Sequence, residues 1–335
     1  MRRSSPASIL CLPKPAGHPQ PEARASCPWR VCLALLALSA VSNCLAAEIP
    51  PARRLAATIV QTIEAPAGDA MHMPTDVAVD GRGRVFIADG ANNRVMVFLP
   101  DGKPADPIIA IKDQPLNRPV GVSTDASDNL WIADTGNRRV HQLDPDGRLI
   151  TSVEPLKPDN ETFDPTDVAV TPDGKRTYIA DNDNHCILVR DNLTRKWTTL
   201  GSPGRAQGQF QYPFMLIVGP EDYVYITESI GARVQQLSPA HRWSGQIGTW
   251  GVELGQFYRP KGIAADKGGR IFVSDSTLGV VQVFSARGAV QGVLCDDKGQ
   301  VLRFKHPMGM AFDREGRLYV VELAANRVAV VNLAK

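Results

Sequence analysis

Residues 73–98 read MPTDVAVDGRGRVFIADGANNRVMVF, and the pattern returns five times. It recurs as RPVGVSTDASDNLWIADTGNRRVHQL at 118–143, DPTDVAVTPDGKRTYIADNDNHCILV at 164–189, YPFMLIVGPEDYVYITESIGARVQQL at 212–237, RPKGIAADKGGRIFVSDSTLGVVQVF at 259–284 and HPMGMAFDREGRLYVVELAANRVAVV at 306–331. The repeat prolines Pro74, Pro119, Pro165, Pro213, Pro260 and Pro307 stand 45, 46, 48, 47 and 47 residues apart. That is the period of one four-stranded propeller blade. Within each copy, short apolar runs such as Val77–Asp80, Val85–Ala88 and Val95–Phe98 are separated by Gly and Asp turns, which specifies strands and excludes a solenoid of helix pairs. The 28 Gly and 26 Pro of this 335-residue chain fit the same reading, because they break helices and supply turns.

The order Pro, Gly or Asp, apolar-Ala-apolar-Asp, Gly, apolar-Ala-Asp, Asn-Arg-Val resembles the NHL repeat. Gly208-Gln209-Phe210 and Gly255-Gln256-Phe257, placed before two of the prolines, strengthen the likeness. The resemblance covers residues 55–335 and implies an all-β, six-bladed β-propeller of the NHL/TolB-like type with four-stranded antiparallel blades. The last copy ends 28 residues after Pro307 and lacks an outermost strand, while Ala57–Glu64, ATIVQTIE, is strand-like and precedes the first proline. Pairing these two ends would close the ring with an N-terminal strand and remove the exposed sheet edges.

Upstream, Val31–Val41 is an apolar run preceded by Arg24 and Arg30 and followed by the small residues Cys44, Ala46 and Ala47. It is too short for a membrane span of roughly 20 residues and reads as a signal peptide. Residues 1–47 are therefore expected to be a signal peptide with a long Pro-rich n-region, and residues 48–335 the propeller. The expected location is periplasmic or secreted, with an uncleaved signal anchor at the inner membrane as the alternative. Removing residues 1–47 leaves 32 basic and 34 acidic residues. A net charge near −2 lacks the basic excess used against phosphate backbones, so no nucleic-acid partner is expected. Four of the six cysteines precede the cleavage site, leaving Cys186 and Cys295, which make neither a disulfide framework nor a zinc spacing.

Two sets of acids stand out. Asp89, Asp134, Asp181, Glu228, Asp275 and Glu322 recur after the second strand of every repeat, where they can accept backbone N–H groups and pair with Arg94, Arg139, Arg233 and Arg327 five residues on. That is a structural role. In the third and fifth repeats Cys186 and Val280 replace the arginine, which leaves Asp181 and Asp275 the acids most free for another task. The second set follows from strand order: the first strand of a blade is innermost, so the residue before each repeat proline and the residue two after it should surround the channel mouth. This assigns a ligand site to Asp76, Arg118, Asp164, Asp167, Tyr212, Arg259 and His306, with His72 alongside.

No Cys-x-x-Cys-His, His-Glu-x-x-His or Gly-x-Ser-x-Gly motif occurs, and many NHL-type propellers are interaction modules. The sequence therefore favours a monomeric scaffold that holds a protein partner or a small polar ligand on its mouth face. The alternative is a metal-dependent lyase or a lactonase-like hydrolase with its site in the central channel. Peptidylglycine-amidating lyases resemble the PTDVAVD stretch, but they hold zinc through histidines, two of them directly after repeat prolines. Here those positions are Thr75, Val120, Thr166, Phe214, Lys261 and Met308, which disfavours zinc. A calcium site built from Asp76, Asp164, Asp167 and Asn117 would suit the lactonase-type architecture.

Overall fold

The computed structural model describes residues 49–155 and 163–334, all within the compact unit Ala40–Lys335. The expected signal peptide lies outside the described residues. Among those residues no helix is long and apolar enough to cross a membrane.

The chain is an all-β propeller. In the first repeat Pro74–Val79, Val85–Asp89, Arg94–Phe98 and Pro104–Ile108 form an antiparallel four-stranded sheet in chain order, and the second, third and fourth repeats do the same. The strands of the fifth and sixth repeats share one eight-stranded sheet. Arg54–Glu64 lies at its centre, antiparallel to Arg327–Leu333 from Ala57↔Leu333 to Glu64↔Arg327, and parallel to Val290–Cys295 over Arg54–Ala56. This strand begins three residues before the expected Ala57.

Each first strand packs on the first strand of the next repeat, and that of the sixth, Pro307–Phe312, returns to Pro74–Val79. Six hydrophobic clusters fill the wedges between neighbouring repeats. One joins Val77, Ile87 and Met96 to Met308, Val321 and Val328, so the last repeat is bound to the first by the same contacts that bind all the others. Both faces of each sheet are covered this way, and second strands such as Val85–Asp89 are buried at every position instead of alternately. The outermost strands are more open in the first and third repeats, where Pro104–Ile108 and Trp197–Leu200 have no buried residue.

Side-chain hydroxyls add a second link between neighbours. Thr75 Oγ1 donates to the Val120 carbonyl (2.6 Å), Thr166 Oγ1 to Phe214 (2.8 Å), Thr227 Oγ1 to Lys261 (2.8 Å) and Ser274 Oγ to Met308 (2.8 Å). These bonds fix the inner ends of the first strands, which is where the candidate site lies.

Candidate functional site

The site is framed by the six recurring acids. Each accepts the backbone N–H of the residue 17 positions earlier: His72 to Asp89 (2.7 Å), Asn117 to Asp134 (2.7 Å), Asp164 to Asp181 (3.0 Å), Gln211 to Glu228 (2.7 Å), Tyr258 to Asp275 (2.6 Å) and Lys305 to Glu322 (2.8 Å). Four of them also take the expected arginine Nε, from Arg94 (2.7 Å), Arg139 (3.0 Å), Arg233 (2.7 Å) and Arg327 (2.7 Å). The acids thereby anchor the loop that leads into each first strand. Burial alone would push the Asp134 carboxyl up, but hydrogen bonds from His141, Asn117, Asn137 and Arg139 outweigh it and hold the group below its ordinary range.

Asp181 and Asp275 are not available for another role. Asp275 accepts four backbone N–H groups, from Tyr258, Arg259 (2.9 Å), Thr277 (3.1 Å) and Leu278 (2.9 Å). Asp181 accepts the Asp164 N–H and the Asn184 side-chain amide (2.8 Å), with the Cys186 sulfur 4.0 Å away. Extra backbone donors take the arginine's place at Asp275, while the Asn184 amide engages Asp181.

The residues before the repeat prolines lie together at one end of the first strands. Met73, Arg118, Tyr212 and His306 have left-handed backbones, with φ of 53°, 48°, 56° and 53°. Such conformations persist only where the surroundings enforce them. Here the preceding repeat does so: Asn326 Oδ1 accepts the Met73 N–H (3.1 Å), Asn93 Oδ1 the Arg118 N–H (2.8 Å) and His185 Nδ1 the Tyr212 N–H (3.0 Å). The side chains are consequently held outward, with Met73 58% and Tyr212 43% exposed and Arg118, Arg259, His306 and His72 exposed as well. Asp164 is partly buried. Burial pushes its carboxyl up, Asp183 and Asp181 add to that, and Arg118 opposes it.

Asp76 and Asp167 are placed differently. They are 5% exposed and line a cavity of about 290 Å³ that runs inside the ring of first strands toward Val79, Thr124, Val170, Val218 and Phe312 at the opposite end. Their carboxylates reach sideways into the next repeat: Asp76 Oδ2 accepts the Val122 N–H (2.9 Å) and Asp167 Oδ2 the Leu216 N–H (2.8 Å). They are thus channel residues below the mouth. A register irregularity between Pro74 and Asp76, repeated between Pro165 and Asp167, separates the proline from its second successor. Burial raises the Asp76 carboxyl well above the ordinary range, with the Asp167 charge adding to it, and burial pushes Asp167 up to about 7.

The level between mouth and cavity belongs to the residues directly after the prolines. Phe214 packs against both the cluster of the first and sixth repeats and that of the fourth and fifth, so it reaches across the channel. Lys261 Nζ lies over the Phe214 ring, 4.0 Å from its centroid. Burial pulls the Lys261 ammonium down to about 8, and the Arg259 charge adds to that. Sequence reasoning noted these positions only for lacking histidine. The usable signal was that Lys261 alone carries a charge where the other repeats have Thr, Val, Phe or Met. His185 was also missed: it stacks edge-on against Tyr212 with ring centroids 4.3 Å apart, at the end of the loop between second and third strands. Among the described residues no three His, Cys, Asp or Glu side chains gather in a way that could hold a metal ion, so Asp164 does not join Asp76 and Asp167 in the expected calcium set. Cys186 and Cys295 are buried thiols.

The NHL repeat family matches residues 71–98 and 116–143. This is an NHL-type β-propeller. No curated protein sequence matches the chain. Among solved structures, the NHL-type propeller is similar to a gluconolactonase from Xanthomonas campestris (16% identity, 86% of this chain and 98% of that one, TM-score 0.61). It is also similar to virginiamycin B lyase from Staphylococcus aureus (15%, 82% and 99%, 0.59) and to an auxiliary nutrient binding protein from Bacteroides thetaiotaomicron (12%, 82% and 74%, 0.61). At these identities the likeness establishes the fold of the NHL-type propeller and nothing about its chemistry.

Proposed function

We propose that this propeller is an exported, six-bladed binding protein whose mouth face holds a small polar ligand bearing an anionic group. The six-blade count divides the eight-stranded sheet at Arg54–Glu64, which serves as the outer strand of the sixth blade and closes the ring. The six inter-repeat clusters support that count. Export rests on the apolar run Val31–Val41 and its flanks.

The observation that carries the binding reading is the set of exposed side chains held outward on rigid backbone around one end of the channel. Arg118 and Arg259 offer guanidinium forks suited to a carboxylate or phosphate. Asp164, His72 and His306 can fix hydroxyls, and Tyr212 supplies an aromatic wall. Isothermal titration of the full chain with gluconate tests the idea. Binding that falls about tenfold or more in an R118A/R259A double variant, as loss of a charged contact predicts, supports it. Unchanged binding in that variant removes the mouth face from consideration.

A second reading, lactone hydrolysis or a lyase reaction in the channel, is favoured by two of the structural neighbours, a gluconolactonase and a lyase. It would place the chemistry at Asp76 and Asp167, whose raised pKa values suit proton transfer near neutral pH. Base consumption during incubation with glucono-lactone, lost in D167N, would establish it.

A further inference from the structure

Lys261 is fixed at its root and free at its tip. Its carbonyl accepts the Thr227 hydroxyl, and a Cβ on the adjacent Gly262 would lie 2.0 Å from the Met308 carbonyl, so the strand cannot shift there. Its Nζ sits over the Phe214 ring and forms no ion pair with a described carboxylate. Three surface lysines, by contrast, are tied up: Lys103 to Asp101 (2.7 Å), Lys175 to Asp173 (2.9 Å) and Lys267 to the Arg314 carbonyl (2.7 Å). The neighbouring strands carry Phe214 and Met308 at the equivalent position, neither of which titrates, and Arg259 is the charge that bears on the amine.

We propose that Lys261 is a nucleophilic amine that captures a small aldehyde or keto acid as an imine just below the channel mouth; this deepens the mouth-face reading and rests on it. The neutral amine adds to the carbonyl carbon, and one N–H proton passes to the oxygen to give a carbinolamine. Loss of that hydroxyl together with the second N–H proton, as water, leaves the C=N bond. On protonation the iminium keeps the positive charge over the Phe214 ring, where a cation is already accommodated. Arg259, two residues away, pairs with the anionic substituent. An amine that titrates near 8 keeps roughly a tenth or more of its population neutral at physiological pH, about a hundredfold more than an ordinary lysine at about 10.4.

The test uses the full chain, glyoxylate and cyanoborohydride at about neutral pH, followed by peptide mapping. Lys261 should become N-carboxymethylated at least about tenfold faster than Lys103 or Lys175, whose neutral fraction is more than about a hundredfold smaller. Its rate should level off just above pH 8 while theirs still climbs. Acetaldehyde, which lacks the anionic group, should label Lys261 less selectively. Labelling of Lys261 no faster than Lys103 overturns the proposal, as does a rate that keeps rising beyond pH 10. If gluconate still binds in an Arg118- and Arg259-dependent way in that case, the mouth-face reading stands and only the imine chemistry falls.

Discussion

The propeller contains two groups of buried carboxylates that look alike in the sequence and differ in their partners. The ring acids, from Asp89 to Glu322, are saturated: each takes the loop N–H, and most add an arginine or further backbone donors. Asp76 and Asp167 share a cavity and accept only backbone N–H groups; burial raises both carboxyls, and the Asp167 charge adds to the rise at Asp76. Burial by itself therefore does not mark a functional acid in this fold. Burial raises the Glu228 and Asp275 carboxyls as well, despite their donors, so what sets Asp76 and Asp167 apart is the shared cavity into which a proton can be exchanged.

Perturbing the ring should have the largest effect. Glu228→Ala leaves the buried Arg233 guanidinium without its acid and frees the Gln211 N–H and the Gln235 amide, so a loss of about 3–5 kcal/mol is expected in urea unfolding. A loss below about 1 kcal/mol would mean that the ring is not the anchor proposed here.

The channel pair should reveal itself through pH. With the folded Asp167 pKa pushed up to about 7 from an ordinary 3.8, the unfolded chain releases its proton first as pH rises. The unfolded state then binds fewer protons than the native state, so stability is greatest below about pH 4 on this account and falls between pH 4 and 7, by a few kcal/mol in order of magnitude. Asp167→Asn imitates the protonated form and should flatten that fall. Denaturation midpoints at pH 5 and pH 8 for both proteins decide the matter, and parallel curves would refute the raised pKa.

The packing around the pair gives a smaller effect. A Cβ on Gly309 would lie 1.9 Å from Asp76 Oδ1, so Gly309→Ala should cost about 1–3 kcal/mol by overpacking and should alter the pH profile as well, because it moves the carboxylate. A purely pH-independent loss would mean that Asp76 relaxes away without consequence. The smallest effect belongs to the surface: Lys103→Ala removes an ion pair with Asp101 in which both side chains are more than half exposed, and the unfolding midpoint should stay where it is.

Most of the fold was readable from residues 73–331 because every repeat restates the same local instructions. Proline opens a strand, Gly and Asp close a turn, and short apolar runs mark the strands between them. The anchoring role of the ring acids was legible for the same reason, since Asp89 and Arg94 lie five residues apart in one chain segment. Asp275 was misjudged because its extra donors are backbone N–H groups, such as those of Thr277 and Leu278, whose positions no side-chain pattern records, and Asp181 because the Asn184 amide already engages it. Depth in the channel was hidden too. Counting two residues from each proline placed Asp76 and Asp167 at the mouth, and the register irregularity in their strands set them below it.

The sequence by itself determined the repeat and its strands and turns, because each follows from interactions within a few tens of residues. The tertiary structure alone decided which residues meet across the ring. Asp76 lies against Gly309 and reaches Val122, and Lys261 rests on Phe214, through contacts between repeats that are 45 or more residues apart or lie at opposite ends of the chain. Such contacts depend on how the sheets close around the axis, and the burial that shifts the Asp167 and Lys261 pKa values exists only once that closure is complete.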